Sequence, residues 1–336
     1  ILMEKDEEFF QLGNPQGEEF LRTTIASYLH HARGVSCTPD QVIVGAGSDY
    51  LLMLLSNILG NRRVVAMENP TYKRAYRVLQ SMTKSMIAVE MDQNGMYVEE
   101  LSKSEADIAY VMPSHQYPMG IVMPVRRRMQ LLDWAAKAEG RYIIEDDYDS
   151  EFRYHGKPIP ALQATDEHGK VIYLGSFSKL VSPGLRVGYL LAHEELLRKC
   201  TIGKQGTDLH TPNLNQAIID QFLRRDLLDS HVQSIIPGYR EKLELMLEEL
   251  SSFPEGTRYT APEGGLFIFV EMPEGFDATA LFGEAVERGV AYVPGTHFYP
   301  DGGHHNTLRL NFSNSTPQQI HEGMGKLREL FAAHLG

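Results

Sequence analysis

The chain has 336 residues, 43% of them hydrophobic and 23% charged, with a formal net charge of −12. That length buries a large core and suggests two lobes, and the balance of residues is ordinary for a globular enzyme. The acidic excess argues against nucleic-acid binding by this polypeptide itself. No apolar run approaches the roughly 18 residues of a membrane span, and no signal peptide is visible. Cys37 and Cys200 are too far apart for a disulfide framework or a zinc motif, which fits a reducing, cytoplasmic setting. Ile1 is not an initiator methionine, so the chain is expected to be part of something longer.

In chain order, residues 17–32 read as a helix, with Phe20, Leu21, Ile25, Tyr28 and Leu29 on one face and Gly34 as its stop. Val42 to Val44 reads as a short strand, followed by Gly45-Ala46-Gly47-Ser48 and an apolar helix from Asp49 to Leu59. Further strands are expected at 64–67, 86–90, 108–112, 142–145, 171–174 and 187–191, with helical segments such as 129–138 between them. Seven strands joined by helical crossovers predict a doubly wound, mostly parallel sheet with helices on both faces. After about residue 230 the pattern changes to a helix (Tyr239 to Leu250), a strand near Gly264 to Val270, another helix, a strand from Thr307 to Phe312 and a terminal helix. That mixture predicts a smaller α+β lobe. The expected division is 13–230 for the large lobe and 231–336, with 1–12, for the small one.

The chemistry centres on Lys179. It sits in Gly175-Ser176-Phe177-Ser178-Lys179, after the strand 171–174, and Arg186 follows seven residues later. Strand ends are where α/β sheets place ligands, and serine and arginine are phosphate-binding groups. A lysine amine flanked by phosphate donors suits a Schiff base with a phosphorylated aldehyde, and pyridoxal 5′-phosphate is that aldehyde. The acidic run Glu145-Asp146-Asp147-Tyr148-Asp149-Ser150-Glu151 follows another strand. It reads either as a divalent-metal site or as a clamp for the cofactor ring. In the second reading Asp146 keeps the pyridine nitrogen protonated, and Tyr148 hydrogen-bonds the phenolic oxygen, depressing the pKa of the lysine imine.

Gly45-Ala46-Gly47-Ser48 joins a strand to a helix and fails as a dinucleotide fingerprint, because Tyr50 stands where a third glycine belongs. Alone it is a tight turn with Ser48 as N-cap. With Ser176, Ser178 and Arg186 it completes a phosphate cup. Tyr72, after Glu68-Asn69-Pro70-Thr71, reads either as a ring stacked on the cofactor or as an ordinary core or surface tyrosine, and Arg74 is a candidate to face the same cavity. Arg309 interrupts the apolar strand Leu308–Phe312 and either faces outward or forks onto a ligand carboxylate. His30, His31, His297, His304 and His305 lack ligand spacing and are assigned to the surface, with no metal.

These residues, in this order, resemble the fold-type-I pyridoxal-phosphate-dependent aminotransferases, over nearly the whole chain from Leu12-Gly13-Asn14-Pro15 to Arg309. The resemblance implies Lys179 as the Schiff-base lysine, Asp146 at the pyridine nitrogen, Tyr148 at the phenolic oxygen and Tyr72 as the stacking ring. It assigns the phosphate to Gly47, Ser48, Ser176, Ser178 and Arg186, and the ligand carboxylate to Arg309. Pro113-Ser114-His115-Gln116-Tyr117-Pro118-Met119-Gly120 and Glu145–Phe152 look more narrowly like the aminotransferase-like domain of MocR/GabR-type regulators of the GntR superfamily. There a winged-helix domain binds DNA and this domain senses an amino compound; Arg74 matches a second carboxylate-contacting arginine. Tyr117 stands where ordinary aminotransferases carry an asparagine. Leu12 stands where they often carry a tyrosine that reaches the partner subunit's phosphate. The resemblance therefore implies a homodimeric effector domain that forms an aldimine with an amino acid or amine, its DNA-binding part preceding Ile1. The alternative is a stand-alone aminotransferase using a 2-oxo acid as second substrate. A metal-dependent hydrolase would leave Lys179 and Arg186 without a role.

Overall fold

The computed structural model describes residues 11–154, 156, 159–207 and 211–335. The share of the small lobe expected from residues 1–10 lies outside the described residues. Eight strands form a large sheet: β1 (Val42–Gly45), β2 (Val64–Asn69), β3 (Ser85–Asp92), β4 (Gly95–Met96), β5 (Ile108–Val111), β6 (Tyr142–Asp147), β7 (Val171–Ser176) and β8 (Gly188–Leu191). Their spatial order is β1-β8-β7-β6-β5-β2-β3-β4. The run from β3 through β2, β5 and β6 to β7 is parallel, and β8 lies antiparallel between β7 and β1. All seven expected strands are present. The two-residue β4, folding back on β3, adds an eighth and is too short to leave a period in the sequence.

The helices are α1 (Glu19–Arg33), α2 (Ser48–Leu59), α3 (Lys73–Gln80), α4 (Val98–Lys103), α5 (Val125–Ala136), α6 (Glu194–Thr207), α7 (Asn213–Arg224), α8 (Leu227–Leu250), α9 (Phe282–Glu287) and α10 (Pro317–Ala333). Side chains alternate across a strand. β1 therefore sends Val42 and Val44 to Leu21, Ile25 and Leu29 of α1, and Ile43 to Leu51 and Leu55 of α2. In β6, Ile143 packs with Leu131 and Trp134 of α5, while Ile144 joins the cluster of α2, α3 and α6 on the other face. Two covered faces explain why these strands read as unbroken apolar runs.

A second sheet, β9 (Arg258–Tyr259), β10 (Phe267–Glu271), β11 (Val293–Pro294) and β12 (Thr307–Asn311), is antiparallel in the order β11-β12-β10-β9. Ile268, Val270, Leu308 and Leu310 pack there against Leu243 and Met246 of α8 and Leu327 and Phe331 of α10. The sequence expectation started α8 at Tyr239; the helix begins at Leu227 and passes through Pro237. An interior proline costs a helix about 3 kcal/mol. Leu228 and Val232, buried in the cluster of α1 and α7, hold the first half in place against that cost. The boundary expected between 230 and 231 thus falls within one continuous helix. Among the described residues no helix is long and apolar enough to cross a membrane.

A buried ion pair ties the layers together behind the sheet edge. Arg33, at the end of α1, donates from Nε to Asp147 Oδ2 at 2.8 Å, from Nη1 to the Ile159 carbonyl at 2.8 Å and from Nη2 to Ser114 Oγ at 2.6 Å. The Tyr173 hydroxyl donates to the same Asp147 oxygen at 2.6 Å. Removing one partner of such a pair strands the other charge. Arg33→Ala is expected to lower unfolding free energy by about 3–5 kcal/mol, read from denaturant midpoints. A midpoint within experimental error of the wild type would reject this role.

Candidate active site

The carboxyl ends of β1, β2, β5, β6 and β7 meet at one edge of the large sheet. Because β8 runs the other way, pairing Gly188 with Ser176, its beginning lies at that edge too. This is the edge where α/β sheets open a crevice. A cavity of about 320 Å³ opens there, lined also by Phe267, Arg309 and Asn311 of the small sheet and by Leu266 just before it.

One end of the cavity is built to take an anion. Ser48 begins α2, whose N-terminus carries the positive end of the helix dipole. Ser176, Ser178 and Lys179 line the cavity after β7, and Arg186 lines it just before β8. Gly47 has φ 95°, and a Cβ on it would lie 2.7 Å from the Arg186 guanidinium. Glycine there lets Arg186 lie against the loop, where it donates to the Ala46 carbonyl at 3.1 Å.

The same cavity takes in a buried carboxylate. Alternation along β6 separates the three acids. Glu145 accepts from the Leu162 and Gln163 amides at 2.7 and 2.8 Å, and Asp147 takes Arg33 and Tyr173. Asp146 alone of the three lines the cavity. The acidic run therefore does not converge, and among the described residues no group of three or more His, Cys, Asp or Glu side chains is placed to hold a metal ion. The Tyr110 hydroxyl donates to Asp146. Burial pushes the Asp146 carboxyl up to about 7, and Asp147, Asp149 and Asp49 add to the rise against the lowering effect of Tyr110. A cation beside it would oppose that rise by direct attraction.

Tyr72 and Tyr148 line the cavity as well. Tyr72 caps the start of α3 and meets Tyr117 edge-to-face at 5.3 Å between ring centroids. The Tyr148 hydroxyl lies 3.1 Å from His115 Nδ1, which lies 2.9 Å from Asp149 Oδ2. Arg309, from β12, reaches the cavity in a cage of Tyr117, Phe267 and Phe298, 5.1 to 5.5 Å from the ring centroids. It donates to the Tyr117 hydroxyl, while its Nε is buried without a partner. Arg74 reaches the same cavity with its side chain 64% exposed and ion-paired to Asp49 at 2.6 Å.

The structure thus gathers Ser48, Tyr72, Arg74, Asp146, Tyr148, Ser176, Ser178, Lys179, Arg186 and Arg309 around one cavity, with Gly47 against Arg186. His30, His31, His297, His304 and His305 are exposed, as is Leu12. Sequence reasoning missed Tyr110, His115, Asp149 and Asp49 as site neighbours. His115 lay inside the quoted segment 113–120, but nothing in its spacing pointed to a partner 34 residues away. Among the described residues, Lys179, Arg186 and Arg309 have no carboxylate in an ion pair, whereas Arg33, Arg74 and Arg127 do. Three unpaired cations and one buried carboxylate with only a tyrosine suit a ligand that carries a phosphate, a protonated ring nitrogen and a separate carboxylate.

The class I and II aminotransferase family matches residues 2–327. The chain is 34% identical over 325 residues to the HTH-type transcriptional regulator YdeL of Bacillus subtilis, covering 96% of this chain and 69% of that protein. It is also 34% identical over 330 residues to aromatic-amino-acid aminotransferase 1 of Thermococcus litoralis, covering 95% and 79%. The crystal structure of Pyrococcus horikoshii kynurenine aminotransferase, in complex with PMP, KYN and KYA, superposes with a TM-score of 0.93 at 34% identity. It covers 100% of this chain and 85% of that one.

Proposed function

The chain belongs to the class I and II aminotransferases, a fold-type-I family whose cofactor is pyridoxal 5′-phosphate, and from that premise we propose that it holds this cofactor on Lys179 and binds an amino acid through Arg309. The observation that carries the reading is the set of three unpaired cations around one cavity. In this proposal residues 13–230 form the cofactor lobe and 231–336 the smaller lobe, joined within α8, and two chains pair as a homodimer.

Bound there, the cofactor supplies an aldehyde carbon for the incoming amine and a ring that takes up electrons released at the substrate carbon. Ser48, Ser176, Ser178 and Arg186 hold its phosphate, and Gly47 leaves room for the guanidinium. Asp146 holds the proton on the ring nitrogen, which supplies the cation that its buried carboxylate lacks. Tyr72 covers one ring face, and the Tyr148 hydroxyl donates to the phenolic oxygen. The Lys179 amine, which lines the cavity, would serve as the base that takes the proton from the ligand's α carbon. Arg309 receives the ligand carboxylate on its fork.

A specific feature favours ligand sensing over rapid turnover. Tyr117, in the place of the asparagine expected of ordinary aminotransferases, accepts a hydrogen bond from Arg309 at its hydroxyl oxygen, which ties it to the arginine assigned to the ligand carboxylate. Such a domain serves as the effector part of a MocR/GabR-type regulator, with DNA binding carried by a winged-helix domain. A ligand that binds one conformation better then shifts its population. The competing reading is a free aminotransferase. Mixing the cofactor-loaded chain with a panel of amino acids should change its visible spectrum with little keto-acid product, with or without 2-oxoglutarate or pyruvate. Sustained turnover near the roughly 10 per second typical of enzymes would replace the sensor with the free enzyme.

A further inference from the structure

The mechanism above uses Tyr148 and leaves unexplained the two buried groups behind it. We propose that His115 and Asp149 form a positioning pair that fixes the direction of the Tyr148 hydroxyl hydrogen, turning it into the cavity. The inference rests on the reading that Tyr148 faces the cofactor's phenolic oxygen.

One nitrogen atom links the two groups to Tyr148. His115 Nδ1 is 2.9 Å from Asp149 Oδ2 and 3.1 Å from Tyr148 Oη. A ring nitrogen either donates or accepts. If Nδ1 accepted, it would take the Tyr148 hydrogen and turn it away from the cavity. The carboxylate decides the matter: an unprotonated Nδ1 would set its lone pair against the Asp149 oxygen at 2.9 Å. His115 Nε2 is buried with no hydrogen-bond partner, enclosed by Gly120, by Gly265 and by the Phe267 ring at 5.1 Å. A hydrogen placed on Nε2 would find no acceptor there and would leave the Asp149 carboxylate facing a bare Nδ1 lone pair. The ring hydrogen therefore belongs on Nδ1, donated to Asp149 and shared with the Tyr148 oxygen. Tyr148 is left with its own hydrogen and, among the described residues, no other hydrogen-bond partner.

The surroundings are adapted to this placement. A Cβ on Gly265 would lie 1.8 Å from His115 Cε1, and Gly265 has φ 79°, so only glycine admits the ring there. Burial raises the Asp149 carboxyl, and His115 opposes that rise first, ahead of Lys179. Besides His115, the ionisable groups that act on Tyr148 are Asp149, Tyr117, Asp146 and Arg309, with Tyr72 and Lys179 lining the same cavity.

Two measurements test the pair. In the chain without cofactor, nitrogen-15 NMR of the histidines should show His115 protonated on Nδ1; an Nε2-protonated tautomer would overturn the proposal. In the loaded chain, the pH midpoint of the visible absorption band reports how well the phenolic oxygen is hydrogen-bonded. Tyr148→Phe should raise that midpoint by about one to two units, the size of a hydrogen bond to a charged group. His115→Gln, which has no nitrogen at the Nδ1 position, should raise it in the same direction by at least about half a unit. His115→Asn, whose amide overlays Nδ1, should restore it. In a Tyr148→Phe background, His115→Gln should add nothing. A midpoint moved by Tyr148→Phe but not by His115→Gln sinks the positioning role and leaves the proposed function intact. A midpoint moved by neither sinks both. Should the glutamine variant not fold, the tautomer measurement on the wild-type chain still decides.

Discussion

Lys179→Ala is expected to lose covalent capture of pyridoxal 5′-phosphate, its visible absorption band and all but a trace of amino transfer. Proton transfer by a positioned side chain contributes about 10²- to 10⁴-fold on its own, and the same lysine also supplies the covalent anchor, so any turnover should fall by at least that factor. Borohydride reduction of the loaded wild-type chain, followed by peptide mapping, should place the pyridoxyl group on Lys179. The physical rival is Lys204, whose ammonium burial pushes down to about 8. Such a lysine is easily mistaken for a catalytic one. Lys204, however, is fully buried and donates to the Val44 carbonyl at 2.6 Å behind β1, and it does not line the cavity, whereas Lys179 is exposed and does. Label found on Lys204, or on any lysine but 179, would reject the assignment. Phosphate affinity should survive in Lys179→Ala, because Ser48, Ser176, Ser178 and Arg186 are untouched.

Why so much of this site was legible in the sequence follows from the sheet. Parallel strands buried on both faces leave dense apolar runs, so the strand ends stand out. Each cavity residue on the large sheet sits within a few positions of such an end: Ser48 after β1, Tyr72 after β2, Asp146 within β6, Lys179 after β7 and Arg186 before β8. Serine, arginine and lysine at strand ends state their chemistry directly. What could not be read was the chemistry that depends on three-dimensional closure. Asp147 and Asp146 are neighbours in sequence, yet the pleat gives one to Arg33 and the other to the cavity. His115 meets Asp149 and Tyr148 only when the segment after β5 folds against the end of β6. Arg74 reads as a free cation, but one helical turn of α2 brings Asp49 to it. The start of α8 was missed for a different reason. Pro237 is a local veto on helix, and it was overruled by burial of Leu228 and Val232, which no local pattern reports.

Arg309→Ala is expected to weaken amino-acid binding by roughly 30- to 5,000-fold while the cofactor stays bound, the equivalent of about 2–5 kcal/mol for truncating one partner of a buried charge pair. The size follows from how the arginine is held before any ligand arrives. Its guanidinium lies over Tyr117, Phe267 and Phe298, and cation–π contacts of this kind contribute about 0.5–2 kcal/mol each. They fix the fork in place, so a carboxylate meets a preorganised donor and little side-chain freedom is lost on binding. The buried Nε without a partner is a standing cost that a ligand carboxylate removes. Arg309→Lys should recover only a small part of the affinity, because an ammonium cannot offer the paired donors or stack in the cage. Arg74→Ala should cost far less. Its charge is already matched by Asp49, and its side chain is 64% exposed, where ion pairs contribute about 0–1 kcal/mol. Titration of the loaded variants with one amino acid, following the visible spectrum, separates the two arginines. Equal losses from Arg74→Ala and Arg309→Ala would mean that the ligand breaks the Arg74–Asp49 pair and carries a second anionic group. Unchanged affinity in Arg309→Ala would mean that the carboxylate is bound elsewhere, with Arg74 the next candidate.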